Sequence, residues 1–345
     1  MRDRLAVPLS TLTTLRLGGP ARRLVEVSEP VELVDVVAGC DAAGEPVLVL
    51  GGGSNVVVAD AGFDGTVVAV RTTGTAVSFD ACSGATVTVA AGEDWDDLVA
   101  AAVASGWVGI EALAGIPGRC GAVPIQNVGA YGQEVSQTIA SVRTYDRSTR
   151  RQVTLAAADC DFGYRTSRFK REPERFVVLD VTFQLRLGNL SAPVAYGELA
   201  GRLGVEPGCR APLSEVRDAV LELRRSKGMV LVPDDHDTWS AGSFFTNPVL
   251  SATAADRLPA QAPRWPQPDG TVKTSAAWLI ERAGFSRGYG AGSVRLSTKH
   301  PLALSNRGRA TTEELLALAR EVRDRVRESF GVELVAEPVT VGCRL

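Results

Sequence analysis

Three consecutive glycines, Gly51, Gly52 and Gly53, stand between two β-branched runs: PVLVL, which ends at Leu50, and VVV at residues 56–58. Glycine has no Cβ, so such a run takes positive φ freely and lets the backbone come close to a ligand. The segment after the glycines constrains the fold. A dinucleotide-binding GxGxxG leads from a strand into a helix, whereas GGGSN leads into a second strand, and a doubly wound Rossmann reading fails here. Successive N–H groups in such a loop suit a pyrophosphate. Taken alone, the same residues read first as a tight turn between strands.

Around this loop the pattern alternates between helix and strand. Ser28, Glu29 and Pro30 open a helix through Val31, Leu33, Val34 and Val37 that ends near Gly44. TVVAV and ATVTVAA read as strands, Asp94 to Gly106 as a helix, and VRTYD and FVVLDVTFQLRL as strands again. A further helix is expected from about Ser214 to Lys227. Next comes LPAQAPRWPQPDG, whose prolines mark a surface excursion. Thr311 and Glu314 form a capping box before a helix carrying Leu315, Leu316, Ala319, Val322, Val326 and Phe330, stopped by Gly331. The closing segment VELVAEPVTVG reads as a strand that puts Glu337 on the same face as Val335, Val339 and Val341. An acid on that face is partly buried, which raises a carboxyl pKa. Pro338 offers the alternative of a bulge that turns the face outward.

With 345 residues, two or three domains around a cleft are expected. A net charge of -3 and the lack of basic runs interleaved with aromatics argue against nucleic acid or an anionic membrane as partner. No secretory signal or spanning stretch is read, so the expected location is the cytoplasm. Six cysteines without a CxxC pair are expected as reduced, mostly buried thiols. Two histidines, His236 and His300, leave a metal almost no ligands, so no metal site is expected and the chemistry falls to an organic cofactor.

The second glycine cluster, GIPGRCGAVPIQNVGAYGQE, is more specific. It supplies Gly115, Gly118, Gly121, Gly129 and Gly132 together with the amides of Gln126 and Asn127, enough donors to edge a flavin ring.

At this point the chain resembles one family, the UDP-N-acetylenolpyruvoylglucosamine reductases. The resemblance rests on GGGSN, GIPGRCGAVPIQNVGAYG, YRTSRFK, GSFFTNP, SAAWLIERAG and AEPV, in that order along nearly the whole chain. It implies an α+β protein with a cradle-type FAD-binding fold of two α+β subdomains (1–70 with 332–345, and 71–205) and a C-terminal α+β substrate-binding domain at 214–330. It further implies non-covalent FAD, NADPH as donor and UDP-N-acetylglucosamine enolpyruvate as acceptor; the chain is separately expected to be a monomer. PVAYGEL places Tyr196 where the type with a tyrosine-bearing substrate loop has it. Thr246 stands where many relatives have Lys, and the excursion near 259–269 resembles an insertion.

Carried over residue by residue, the resemblance assigns cofactor contacts to Gly51, Gly52, Gly53, Ser54 and Asn55. In the second cluster it assigns them to Gly115, Ile116, Pro117, Gly121, Gln126, Asn127, Gly129, Ala130 and Tyr131. Arg165 matches the arginine that stabilises charge on the substrate carboxylate, Ser243 the proton donor and Glu337 the acid. Tyr196, Lys227, Asn247 and His300 match substrate contacts. Without the motif, Arg165 reads as a surface arginine, Ser243 as a turn serine and Lys227 as a cation at a helix C-terminus. An oxygen-using flavin oxidase or a flavin-binding module without turnover would share the cradle; the Arg, Ser and Glu blocks speak against the oxidase.

Overall fold

A computed structural model describes residues 1–80 and 84–345; Cys82 lies outside the described residues. The chain forms two compact units. The first comprises Met1–Val7, Ala21–Gly52 and Asp64–Ser226, the second Pro8–Pro20, Gly53–Phe63 and Lys227–Leu345.

In the first unit, an antiparallel sheet runs in the order Arg151–Ala156, Ile139–Asp146, Phe176–Leu187, Gly84–Ala90, Thr75–Asp80. Alternate residues of Phe176–Leu187 (Val177, Leu179, Val181, Phe183, Leu185) are buried, as period 2 requires of a central strand. Helix Trp95–Ala104 covers the core with Trp95, Leu98, Val99 and Ala102; Asp94 caps it by accepting from the amides of Asp96 and Asp97. Helix Pro30–Ala43 has the expected proline start and ends on Gly44 in the left-handed region. It follows strand Pro20–Val27 and precedes Val47–Leu50, which pairs in parallel with Phe63–Val70.

In the second unit, helix Thr312–Phe330 carries the predicted capping box and buries Leu315, Leu316, Ala319, Val322 and Val326. Each of the larger of these side chains is worth about 1.5–3 kcal/mol. The helix's first amides, of Thr312 and Glu313, donate to Asp60 at 2.7 and 3.1 Å, and Thr312 Oγ1 donates to the Val58 carbonyl. This holds residues 53–63 against the helix. Val56–Val58 in turn pairs in parallel with Val339–Val341.

The division differs from the sequence expectation at both ends of 214–330. Helix Leu213–Ser226 lies in the first unit because Val216, Ala219, Val220 and Leu221 join that core. Residues 332–345 lie in the second with Val56–Val58, their strand partner. The closing strand is shorter than expected. Only Val339–Val341 is strand, Val335 and Val339 are exposed, and Glu337 stands outside it before the buried Pro338. The alternating apolar face proposed for Glu337 is therefore absent: proline has no N–H for a ladder, and the preceding residues pair elsewhere. The excursion also holds a small hairpin, Trp265–Pro266 against Val272–Lys273.

Cys40, Cys120 and Cys160 are buried free thiols, whereas Cys209 is exposed and Cys343 half-buried. Burial pushes the Cys160 thiol up to about 11. Among the described residues, no helix is long and apolar enough to cross a membrane.

Candidate active site

The chain passes from the first unit to the second within GGGSN, between Gly52 and Gly53. In the first unit Gly52 faces Gly118 so closely that a Cβ on Gly52 would stand 2.8 Å from the Gly118 Cα. Only two glycines allow this approach. Among the described residues, the amides of Gly52, Ile116 and Gly118 donate to no protein acceptor. The loop is pinned from behind. Asp96 Oδ1 accepts the Gly115 amide at 2.7 Å, Gly118 O accepts the Trp95 amide, and the Gly121 amide donates to Ala91 O. Gly121 is required by packing, since its Cβ would lie 2.5 Å from that of Ala91.

Asn127 organises the rest of this loop. Buried and at φ 47°, it donates from Nδ2 to Glu134 Oε2 (2.8 Å) and Gly163 O (3.0 Å) and accepts the Ser136 amide at Oδ1. Arg165, at φ 53°, donates from Nη2 to Gly129 O at 2.6 Å and from Nη1 to Asn127 O at 3.4 Å. Three non-glycine residues here, Asn127, Tyr131 and Arg165, hold left-handed backbone, which costs free energy and concentrates at functional sites. Gly129 and Ala130 pair with Glu134 and Gln133 in a short hairpin that carries Tyr131 at its tip. The rings of Tyr131 and Tyr196 meet edge to face at 5.6 Å. Burial raises both phenols, that of Tyr131 to about 12. Pro117 and Gln126 are half-buried members of the same loop.

The second unit assembles a different set. Phe245 bridges Ala336, the Glu337 amide donates to Phe244 O at 2.9 Å, and the Thr246 amide donates to Val335 O. Backbone pairing thus sets Phe244 opposite Glu337 and brings the segment that carries Ser243 against the closing segment. Asn55 joins them: its Nδ2 donates to Glu337 O at 3.3 Å and its carbonyl accepts the Val339 amide. Gly53 is held by Thr14, whose amide donates to Gly53 O and whose hydroxyl donates to Ser240 O. The amides of Gly53 and Ser54 donate to no protein acceptor among the described residues.

Asn247 directly follows the Phe244–Thr246 segment, and His300 precedes a residue bonded to it. Asn247 Oδ1 accepts the Ala276 amide that opens helix Ala276–Arg282, and Leu302, two residues beyond His300, accepts the Phe244 amide at 2.7 Å. Lys227 directly follows helix Leu213–Ser226. Asp235 and Asp237, which flank His236, are engaged by Lys299 and by Thr298 and Arg307 respectively.

The predicted residues therefore fall into two groups. Gly51, Gly52, the Gly115–Tyr131 loop, Arg165 and Tyr196 belong to the first unit; Gly53, Ser54, Asn55, Lys227, Ser243, Asn247, His300 and Glu337 belong to the second. Sequence reasoning missed Asp96, Glu111 and Arg224. Arg224, on helix Leu213–Ser226, is lowered to about 10 by burial, with Tyr131 and Asp96 opposing the shift. In the sequence it is one of several basic residues at a helix end.

Each unit by itself offers donors that suit the phosphate and carbonyl oxygens of a flavin dinucleotide: in the first the amides of Gly52, Ile116 and Gly118, and in the second those of Gly53 and Ser54, donate to no protein acceptor among the described residues.

Residues 21–154 match the FAD binding domain family and residues 234–341 the C-terminal domain of UDP-N-acetylenolpyruvoylglucosamine reductase. The UDP-N-acetylenolpyruvoylglucosamine reductase of Cutibacterium acnes is 57% identical over 98% of this chain and 90% of its own length. That of Streptomyces avermitilis is 57% identical over 98% of this chain and 94% of its own. A solved structure, the UDP-N-acetylenolpyruvylglucosamine reductase of Thermus caldophilus, superposes with a TM-score of 0.67 at 25% identity, covering 99% of both chains.

Proposed function

The chain belongs to the UDP-N-acetylenolpyruvoylglucosamine reductases, as an α+β, FAD-dependent oxidoreductase of peptidoglycan precursor synthesis, and we propose that it uses NADPH to convert UDP-N-acetylglucosamine enolpyruvate to UDP-N-acetylmuramate. The observation that supports this reading is the backbone pairing of Phe244–Phe245 with Ala336–Glu337, which sets the segment that carries Ser243 against the segment that carries Glu337. Reduction of an enol ether bearing a carboxylate needs two things of a protein: stabilisation of charge on that carboxylate, and a proton for the neighbouring carbon.

Gly51–Asn55 and the Gly115–Tyr131 loop would hold non-covalent FAD, which would supply hydride-transfer chemistry for the enol ether. Arg165 takes the substrate carboxylate; its Nη2 is already oriented by Gly129 O, so little reorganisation accompanies the growth of charge. Ser243 gives its hydroxyl proton to the carbon adjacent to the carboxylate. Glu337 bears on the same carboxylate as the acid partner. Tyr196, Lys227, Asn247 and His300 hold the UDP-sugar. Asn247 does so through its amide nitrogen, because its carbonyl is engaged by Ala276. The enzyme works in the cytoplasm as a monomer, where the buried thiols Cys40, Cys120 and Cys160 stay reduced.

Anaerobic single turnover of Ser243→Ala tests the reading. Flavin reduction by NADPH should persist near the wild-type rate, while reoxidation by the enol ether slows about 100-fold or more. Equal loss in both steps would remove Ser243 from the proton transfer.

A further inference from the structure

Glu111 has no exposed surface, yet among the described residues no cationic side chain pairs with it. Three N–H groups converge on its carboxylate instead. The Gly109 amide donates to Oε2 at 2.6 Å, and Gln133 Nε2 and the Ala192 amide donate to Oε1 at 2.9 and 2.7 Å. Burying a carboxyl without a counter-ion is costly unless its oxygens are fully hydrogen-bonded. The three donors meet that need, and they come from three separate segments.

Each segment leads to a residue already placed in the site. Gly109 precedes the turn Glu111–Leu113 that runs into Gly115. Gln133 closes the hairpin that carries Tyr131, and its Oε1 accepts the Ala112 amide at 2.8 Å, so the hairpin and the turn are tied twice. Ala192 stands at the root of the excursion that carries Tyr196. That excursion closes on itself: the Ser191 amide donates to Ala211 O, the Val194 amide to Cys209 O, and Leu190 bridges Pro212. Tyr196 directly precedes helix Gly197–Leu203 and meets Tyr131 edge to face.

We propose that Glu111 is a positioning residue, a buried carboxylate clamp that fixes the root of the Tyr196 excursion to the hairpin of Tyr131 and the turn before Gly115. The role of Tyr196 in holding substrate rests on the function proposed above; the clamp does not. Glutamine cannot replace Glu111 here, because it presents one acceptor and one donor end. Whichever way the amide turns, at least one of the three N–H groups meets another N–H. Aspartate keeps the charge but is one methylene shorter.

The test uses the full-length, FAD-loaded protein and four forms: wild type, Glu111→Gln, Glu111→Asp, and Val142→Ala. Val142 is fully buried in strand Ile139–Asp146 of the same unit, so its truncation serves as a control for general loss of stability. Hydrogen exchange across residues 189–196 should accelerate about tenfold or more in Glu111→Gln, by a smaller factor in Glu111→Asp, and no more than the unit's global loss of stability dictates in Val142→Ala. KM for the enol ether should rise about tenfold in Glu111→Gln, with the rate of flavin reduction by NADPH within about twofold of wild type. Unchanged exchange at 189–196 in Glu111→Asp, or in a folded Glu111→Gln, overturns the clamp. Faster exchange with unchanged KM supports the clamp and removes Tyr196 from substrate binding instead.

Discussion

The amide of Glu337 donates to the carbonyl of Phe244 at 2.9 Å, so the position of Glu337 beside Phe244 is set by peptide groups and not by its side chain. Glu337→Gln should therefore leave the loop intact and isolate the carboxyl chemistry. We expect wild-type FAD content and a kcat reduced about 100- to 1000-fold, with the loss confined to reoxidation by the enol ether. Stopped-flow measurement of the two half-reactions decides it; a variant that oxidises as fast as wild type would leave Glu337 without a chemical role.

Arg165 combines left-handed backbone with a guanidinium held by Gly129 O and Asn127 O. Lysine keeps the charge but lacks the planar fork that engages a carboxylate and a carbonyl together. Arg165→Lys should raise KM for the enol ether and slow flavin reoxidation by a combined factor of about 100, an apparent loss near 3 kcal/mol, while NADPH reduction changes little. Comparable activity in the lysine variant would mean that simple charge suffices.

Two glycines predict opposite outcomes for one substitution. Gly53 has φ 61°, and a Cβ there would lie 2.0 Å from Leu12 O, a contact that backbone must move to relieve. Gly53→Ala should yield protein lacking the flavin absorbance and melting lower. Gly39 is inside helix Pro30–Ala43 with nothing within 4 Å of the place a methyl group would take, so Gly39→Ala should stabilise by about 0.5–1 kcal/mol and keep its flavin. Absorbance of the purified proteins and thermal melts distinguish the pair.

Features of the fold are legible in the sequence to the extent that their signals are local. The helices Pro30–Ala43, Trp95–Ala104 and Thr312–Phe330 announce themselves through caps and spacing within a few residues, and GGGSN leads into a strand as its valines imply. The closing segment misleads because VELVAEPV alternates like a half-buried strand, whereas residues 335–337 pair with 244–246 and leave Val335 exposed. Asn127, Tyr131 and Arg165 carry positive φ, to which asparagine leans only weakly and which tyrosine and arginine do not signal. Glu111 reads locally as an ordinary acid in IEALAG. Its burial depends on Ala192, 81 residues further along the chain, and no local pattern foretells that donor.

Acid stability offers a test of the first unit's sheet that is independent of catalysis. Asp146, at the end of strand Ile139–Asp146, is almost fully buried and accepts from Arg175 and from the amide and hydroxyl of Ser148. The Arg175 guanidinium, then the Ser148 donors, hold its carboxyl well below the usual carboxylate range against the opposing effect of burial. A carboxyl depressed in the folded state contributes stability that is complete above the unfolded value, near 4, and is lost as pH falls from there toward the folded value. Asp146→Asn keeps an acceptor for Ser148 and loses the charge beside Arg175. Its melting temperature should lie below wild type at pH 7, and the gap should narrow as pH drops below about 4, because the wild-type carboxyl is then being protonated while the amide has nothing to lose. Melts of both proteins between pH 7 and pH 3 measure the gap; curves that stay parallel throughout would show that the Asp146–Arg175 pair contributes no charge-dependent stability.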